Sequence, residues 1–189
     1  MEIIFIFFIL LYSIILHEIS HGYIAYRLGD LTAKYEGRLT LNPISHIDPI
    51  GTILLPILTL YTTGFVFGWA KPVPYNPYNL KNPQRDSIYI ALAGPLINIF
   101  LALIFTFLYK IYPNNIFLFG LRINLVLAFF NLLPIPPLDG SKILLTKIPL
   151  EIYQYLELYG FLLIIIFIMF FFPYFNNFID LVQNFILSI

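Results

Sequence analysis

The chain carries three histidines, and two of them stand in the string His17-Glu18-Ile19-Ser20-His21. On a helix, positions i and i+4 lie about 40° apart around the axis and one turn apart along it, so both imidazoles can reach a single metal ion. Glu18 stands beside them and can take a proton from a water activated by that ion, which is the mechanical content of an HExxH helix. The pattern calls for a hydrolytic metal centre. Two imidazoles leave a catalytic zinc one protein ligand short, because an open site uses three protein ligands and a water. The chain has no Cys, so the third donor must be nitrogen or oxygen. Asp139 is the preferred candidate: it follows the Pro-rich break Pro134-Ile135-Pro136-Pro137-Leu138, where an unwound backbone can turn a carboxylate into a bundle. His46 is the rival.

The setting of these residues is apolar. Of 189 residues, 60% are hydrophobic and 11% charged, and the formal net charge is zero. Such a composition belongs to a membrane protein, and the balanced charge offers no basic field for nucleic acid. A carboxylate near the centre of a membrane helix costs about 2.5–3.5 kcal/mol on insertion scales, so the HExxH string needs a compensating partner. Zinc binding is large enough to supply one, whereas neighbouring hydroxyls are not. The apolar run from Ile3 to Leu16 has no preceding Lys or Arg, is followed by no small-x-small cleavage site, and continues into His17. It reads as a retained span rather than a signal peptide.

The spacing predicts an all-α polytopic membrane protein with about four transmembrane helices, at residues 3–28, 88–109, 116–133 and 152–172. Residues 31–49 read as short β pieces and turns. Residues 50–68 are apolar but carry Pro56, Gly64 and Gly68, which suits a re-entrant segment rather than a straight crossing. Residues 70–87 read as an irregular loop and 141–151 as a short surface helix. The tail from Tyr174 sets Asn176, Asn177, Asp180, Gln183 and Asn184 on one side at helical spacing, predicting a C-terminal interfacial helix. With a re-entrant 50–68, every Lys and Arg except Lys110 and Arg122 falls on one face, the better agreement with the cation bias of cytoplasmic loops. That arrangement puts the N-terminus outside. It also brings the HExxH string, Asp139 and Gly94-Pro95-Leu96-Ile97-Asn98 to one cytoplasmic depth.

With HEISH at 17–21, GPLIN at 94–98 and NLLPIPPLDG at 131–140 in that order, the chain resembles the site-2 protease family of intramembrane zinc metalloproteases. LNPISHIDPIG (41–51) and GWAKPVPYNP (68–77) resemble its small members without PDZ or CBS domains, so the likeness covers about residues 10–145. It implies one Zn2+ held by His17, His21 and Asp139, Glu18 as catalytic base, and transmembrane protein substrates cut in or near the lipid bilayer. A single integral-membrane metalloprotease domain over 1–189 is expected, with a catalytic core at about 1–145 and an extra span and tail at 152–189. The expected location is the cytoplasmic membrane with the site toward the cytoplasm.

Lesser roles follow the same chemistry. Asn98 can donate to the oxyanion or make a helix–helix hydrogen bond. Asn131 can bond substrate backbone or satisfy the broken helix end. His46 and Asp48 suit a local turn network. Residues 65–70 offer a strand edge for an unwound substrate, with Trp69 alternatively an interfacial anchor. The 20 Phe and 14 Tyr are what a lipid-facing surface and its belts require. Two other classes fit the same residues: a transporter using His17, Glu18, His21 and Asp139 as an ion site, and a non-catalytic helix-binding scaffold. A scaffold has no need of the base Glu18.

Overall fold

The computed structural model describes residues 2–54, 57–58, 61 and 70–189. The expected re-entrant segment at 50–68 and strand edge at 65–70 lie mostly outside those residues. Helix α1 (Glu2–Arg27) is the long apolar run anticipated from the sequence. It closes where the Gly29 N–H bonds the Tyr26 carbonyl and the Asp30 N–H bonds the Ala25 carbonyl, the paired bonds that satisfy a helix C-terminus. The Asp30 carboxylate then accepts from Thr32 N–H and Oγ1, which starts the short α2 (Thr32–Tyr35), and from Asn76 N–H and Asn79 Nδ2. One buried acid thus ties the end of α1 to a segment more than 40 residues downstream.

Helix α3 (Pro83–Ile111) begins at a proline, whose missing N–H costs nothing in a first turn. Helix α4 (Asn115–Asn131) begins where Asn114 Oδ1 accepts the Ile116 N–H at 2.8 Å. Side-chain pairs set the directions. Ser13 and His17 meet Asn98 while His21 meets Ile90, so α1 and α3 are antiparallel. Asn98 meets Asn124, and Phe105 lies against Gly120, so α4 runs back along α3 and parallel to α1. The HExxH turn and the C-terminal end of α4 therefore share one end of the bundle, as expected.

The C-terminal part differs from expectation. The chain forms α5 (Leu150–Leu158), turns at Tyr159 and continues as one helix, α6 (Gly160–Ser188), straight through Pro173. There is no separate interfacial tail. The polar stripe of the tail faces Arg122 of α4 instead: Asp180 forms an ion pair with the guanidinium, Asn176 Oδ1 accepts from Nη2 at 2.8 Å and Gln183 Oε1 from Nη1 at 3.5 Å. Beside this cluster, Ala102 of α3, Leu121 and Leu125 of α4, and Phe175 and Ile179 of α6 form a buried core. Residues 139–146 form a 3-10 stretch with Ser141 fully buried, not a surface helix.

Among the described residues there is no strand. Residues 31–49 hold α2 and a 3-10 turn at Pro43–His46. The cause is local: Asp30 and Asn42 accept from backbone N–H groups two residues on, at Thr32 and Ile44, drawing the chain into turns rather than a ladder. Among the described residues three helices, α1, α3 and α6, are long and apolar enough to cross a membrane. Helix α4 has 17 residues and is about 26 Å long, slightly under the ~30 Å hydrocarbon core.

Two measurements check these contacts. In detergent unfolding, a double-mutant cycle of Arg122→Leu and Asp180→Ala should give a coupling of about 1–2 kcal/mol; a coupling near zero would mean that the pair does not hold α6 on α4. For Asp30, burial opposes the charge, but hydrogen bonds from Thr32, Asn79 and Asn76 outweigh it and lower its pKa below the ordinary aspartate value. A carboxylate lowered on folding stabilises above its unfolded pKa of about 3.9, and that stability is lost as pH falls through the folded value. Asp30→Ala should thus be less stable than wild type at pH 7, with the gap closing in acid; a gap that does not change with pH refutes the assignment.

Candidate metal centre

His17 and His21 project from one face of α1, with ring centroids 4.7 Å apart and planes at 83°. Both are buried although they sit in an apolar helix. Their Nδ1 atoms are committed. His21 Nδ1 donates to the Ile90 carbonyl at 2.7 Å, and a carbonyl can only accept. His17 Nδ1 meets Asn98 Oδ1. The amide of Asn98 is oriented by its other bonds, since Nδ2 donates to the Ser13 carbonyl at 3.3 Å and to Asn124 Oδ1 at 2.9 Å. Asn124 Nδ2 donates in turn to Ser13 Oγ and the Gly120 carbonyl. With both Nδ1 atoms bonded to acceptors, each ring turns its Nε2 to the same point.

Asp139 comes to that point from the break after α4. Its Oδ2 lies 3.1 Å from His17 Nε2 and 3.3 Å from His21 Nε2. The same oxygen is buried and has no hydrogen-bond partner among the described residues. Three acceptor atoms thus crowd together, all within 4.8 Å of one another, with no donor among them. A cation resolves that conflict. A tetrahedral ion with bonds of about 2.0–2.1 Å sets ligand-to-ligand edges of about 3.3 Å, so the donor set and its spacing fit zinc.

Two close backbone approaches make the geometry possible. A Cβ at Gly94 would lie 2.5 Å from Nε2 of both His17 and His21, so only glycine lets α3 come this close to the rings. At Gly140 a Cβ would collide with the Leu132 carbonyl, so glycine there lets the Asp139 turn fold back onto the end of α4. Ser141 Oγ and Lys142 Nζ both meet Tyr153 OH, at 3.1 and 3.0 Å, which fastens the turn to α5.

The other sequence candidates divide between this cluster and its surroundings. Glu18 is partly buried, and its Oε2 accepts the Val73 N–H at 2.9 Å. Asn98 is fully buried, with its amide engaged by His17, Ser13 and Asn124. Asn131 Nδ2 donates to the Leu127 carbonyl at 2.9 Å, one turn back at the helix end. His46 is buried away from the three ligands, with Nε2 donating to the Thr40 carbonyl at 2.8 Å. Asp48 accepts from the Ile50 and Gly51 N–H groups, a local turn. Sequence reasoning missed Ser13 and Asn124. Their signal was a polar residue inside an otherwise apolar span, which in a membrane helix always asks for a partner.

The fold and this cluster define a helical protein of membrane-crossing composition with a candidate metal site on an HExxH helix. The chain is 38% identical to Putative zinc metalloprotease YwhC of Bacillus subtilis over 83% of its own length and 76% of that protein's. It is 37% identical to Putative zinc metalloprotease MJ0611 of Methanocaldococcus jannaschii, over 69% of this chain and 63% of that one. With Putative zinc metalloprotease Rip2 of Mycolicibacterium smegmatis the identity is 32%, over 69% of this chain and 52% of the relative. The chain belongs to this family of zinc metalloproteases, the site-2 protease family that its motifs resemble. It spans between about half and three quarters of the length of these relatives. No family model and no solved structure matches it.

Asn98→Ala should leave the fold intact by circular dichroism while weakening zinc binding by roughly 10–100-fold, the usual cost of losing a partner of a metal-bound imidazole. Gly94→Ala should weaken it at least as much. Wild-type zinc affinity in both variants would show that the rings need neither contact.

Proposed function

We propose that the protein is an intramembrane zinc endopeptidase that hydrolyses peptide bonds in or beside transmembrane segments of other membrane proteins. The observation that carries this reading is the convergence of His17 Nε2, His21 Nε2 and Asp139 Oδ2, three acceptors without a donor. These three side chains would hold the ion, and the zinc metalloprotease relatives support zinc. Zinc, when bound, supplies Lewis acidity that makes water acidic near neutral pH and polarises a carbonyl. Glu18, next to His17 on α1, takes the proton from the attacking water and returns it to the leaving amine nitrogen. Asn98 acts through His17 rather than on an oxyanion, because both donor bonds of its amide are used inside the bundle. Asn131 serves the helix end.

A single domain fits this reading, since the Asp139 turn is fastened to α5 by Tyr153 and α4 to α6 by Arg122. Three span-length helices support an integral membrane protein. The cation excess at the end that carries the site supports a cytoplasmic-facing centre in the cytoplasmic membrane.

Purified full-length protein in detergent is the material for the test, with a panel of tagged single-span peptides as substrates. Wild type should cleave, and a chelator should abolish cleavage. Glu18→Gln should still bind one equivalent of zinc and lose about 10³-fold or more in rate. Metal flux across vesicles with no cleavage by either form would replace this reading with a transporter.

A further inference from the structure

The segment Ala70–Asn76 lies extended across the HExxH face of α1 and is fastened at several points. The Lys71 N–H donates to the His46 carbonyl at 2.9 Å, and buried Arg38 donates through Nη2 to the Lys71 and Pro72 carbonyls at 2.7 and 3.2 Å. Asn76 N–H is held by Asp30 Oδ2 at 2.7 Å. Between these anchors the sequence is Pro72-Val73-Pro74. Proline has no N–H and holds the preceding residue extended, so Val73 carries the one amide donor of the tripeptide in a stiff backbone. That donor meets Glu18 Oε2 at 2.9 Å. The Val73 side chain is buried over Gly22, one helical turn beyond Glu18, in space that a side chain at position 22 would need. Among the described residues, no hydrogen-bond donor meets Oε1.

We infer that Val73 is a positioning residue for Glu18: its backbone N–H holds Oε2, so that the carboxylate presents Oε1 to the reacting water. The inference rests on the reading of Glu18 as the general base. A carboxylate on a flexible two-carbon stem samples several rotamers, and only some face the water. An N–H clamped at both flanks selects one of them before substrate arrives, and small misplacements of a catalytic group cost on the order of 10²-fold in rate. The two prolines make the contact specific, because no neighbouring amide can replace it after a slip of one residue. His46 and Arg38, which have no place among the metal ligands, gain a role here as the anchors that fix the strap.

Two readouts on the full-length protein in detergent test this. The first is hydrogen exchange at the Val73 amide, which does not depend on activity. Glu18→Ala should speed exchange by roughly tenfold or more, and Glu18→Gln, whose amide oxygen still accepts, should stay within about threefold of wild type. Equal exchange in wild type and Glu18→Ala overturns the contact and the inference. The second replaces Val73 by its α-hydroxy acid, which keeps the side chain, removes the N–H and leaves the Pro72 carbonyl a somewhat weaker acceptor, with the shorter Arg38 bond to the Lys71 carbonyl intact. That ester form should bind one equivalent of zinc and show kcat reduced by about 10–100-fold, with KM within about twofold. An unchanged kcat overturns the inference by making the contact a docking bond only. If wild type cleaves nothing while the exchange pattern holds, the reading of Glu18 as a base fails and the positioning role fails with it, although the contact itself stands.

Discussion

Three electron-pair acceptors held within 4.8 Å of one another in an apolar helix bundle repel unless something positive sits among them. The rest of the molecule is arranged to enforce that crowding. Helix α1 supplies two rings because i and i+4 stack on one face. Helix α3 supplies the Ile90 carbonyl and the Asn98 amide, which bind the Nδ1 atoms and leave Nε2 as the free lone pair on each ring. The end of α4 supplies a carboxylate with no hydrogen-bond donor of its own. Each group alone would be an ordinary buried polar residue in need of a partner. Together they are a site whose unfavourable energy without a cation becomes affinity for one.

Such crowding limits what may surround it. The backbones of α3 and of the Asp139 turn approach so closely that side chains at positions 94 and 140 are excluded. The packing that holds the bundle lies elsewhere, in the apolar cluster of α3, α4 and α6 and in the polar joint between Arg122 and Asp180. Site and core adjoin through Asn98 and Asn124, which lie within a turn of Ala102, Leu121 and Leu125.

The parts of this arrangement that could be read from the chain alone were those whose geometry is set by a short stretch of backbone. His17, Glu18 and His21 are legible because one helical turn fixes their relation. Asp139 is legible because a Pro-rich break after an apolar run leaves few places for its carboxylate to go. Ser13, Asn124 and Val73 are different, since what matters is a partner on another helix or a backbone N–H, and neither has a period in sequence. The polar stripe at Asn176, Asp180 and Gln183 shows the same limit from the other side. Its spacing identifies a helix with one polar face, but spacing does not say whether water or an arginine covers it, and here it is Arg122. Residues 31–49 read as β pieces and turns because their mixed polarity resembles alternation; the turns are present, and Asp30 and Asn42 draw the rest of the stretch into them in place of strand.

The joint between α4 and α6 also bears on how the protein is made. Arg122 lies midway along a short apolar helix, and a lone arginine there costs about 2.5–3.5 kcal/mol to bury in lipid. Its acidic partner is 58 residues further along the chain, so during synthesis α4 reaches the bilayer well before its charge can be neutralised. Until α6 emerges, α4 is the least settled of the helices, and Asp139 hangs from its end. The last candidate ligand in the sequence thus follows a helix whose charge is met only when α6 arrives. A nascent chain carries His17, His21 and Asp139 before the helix that neutralises Arg122 has been made.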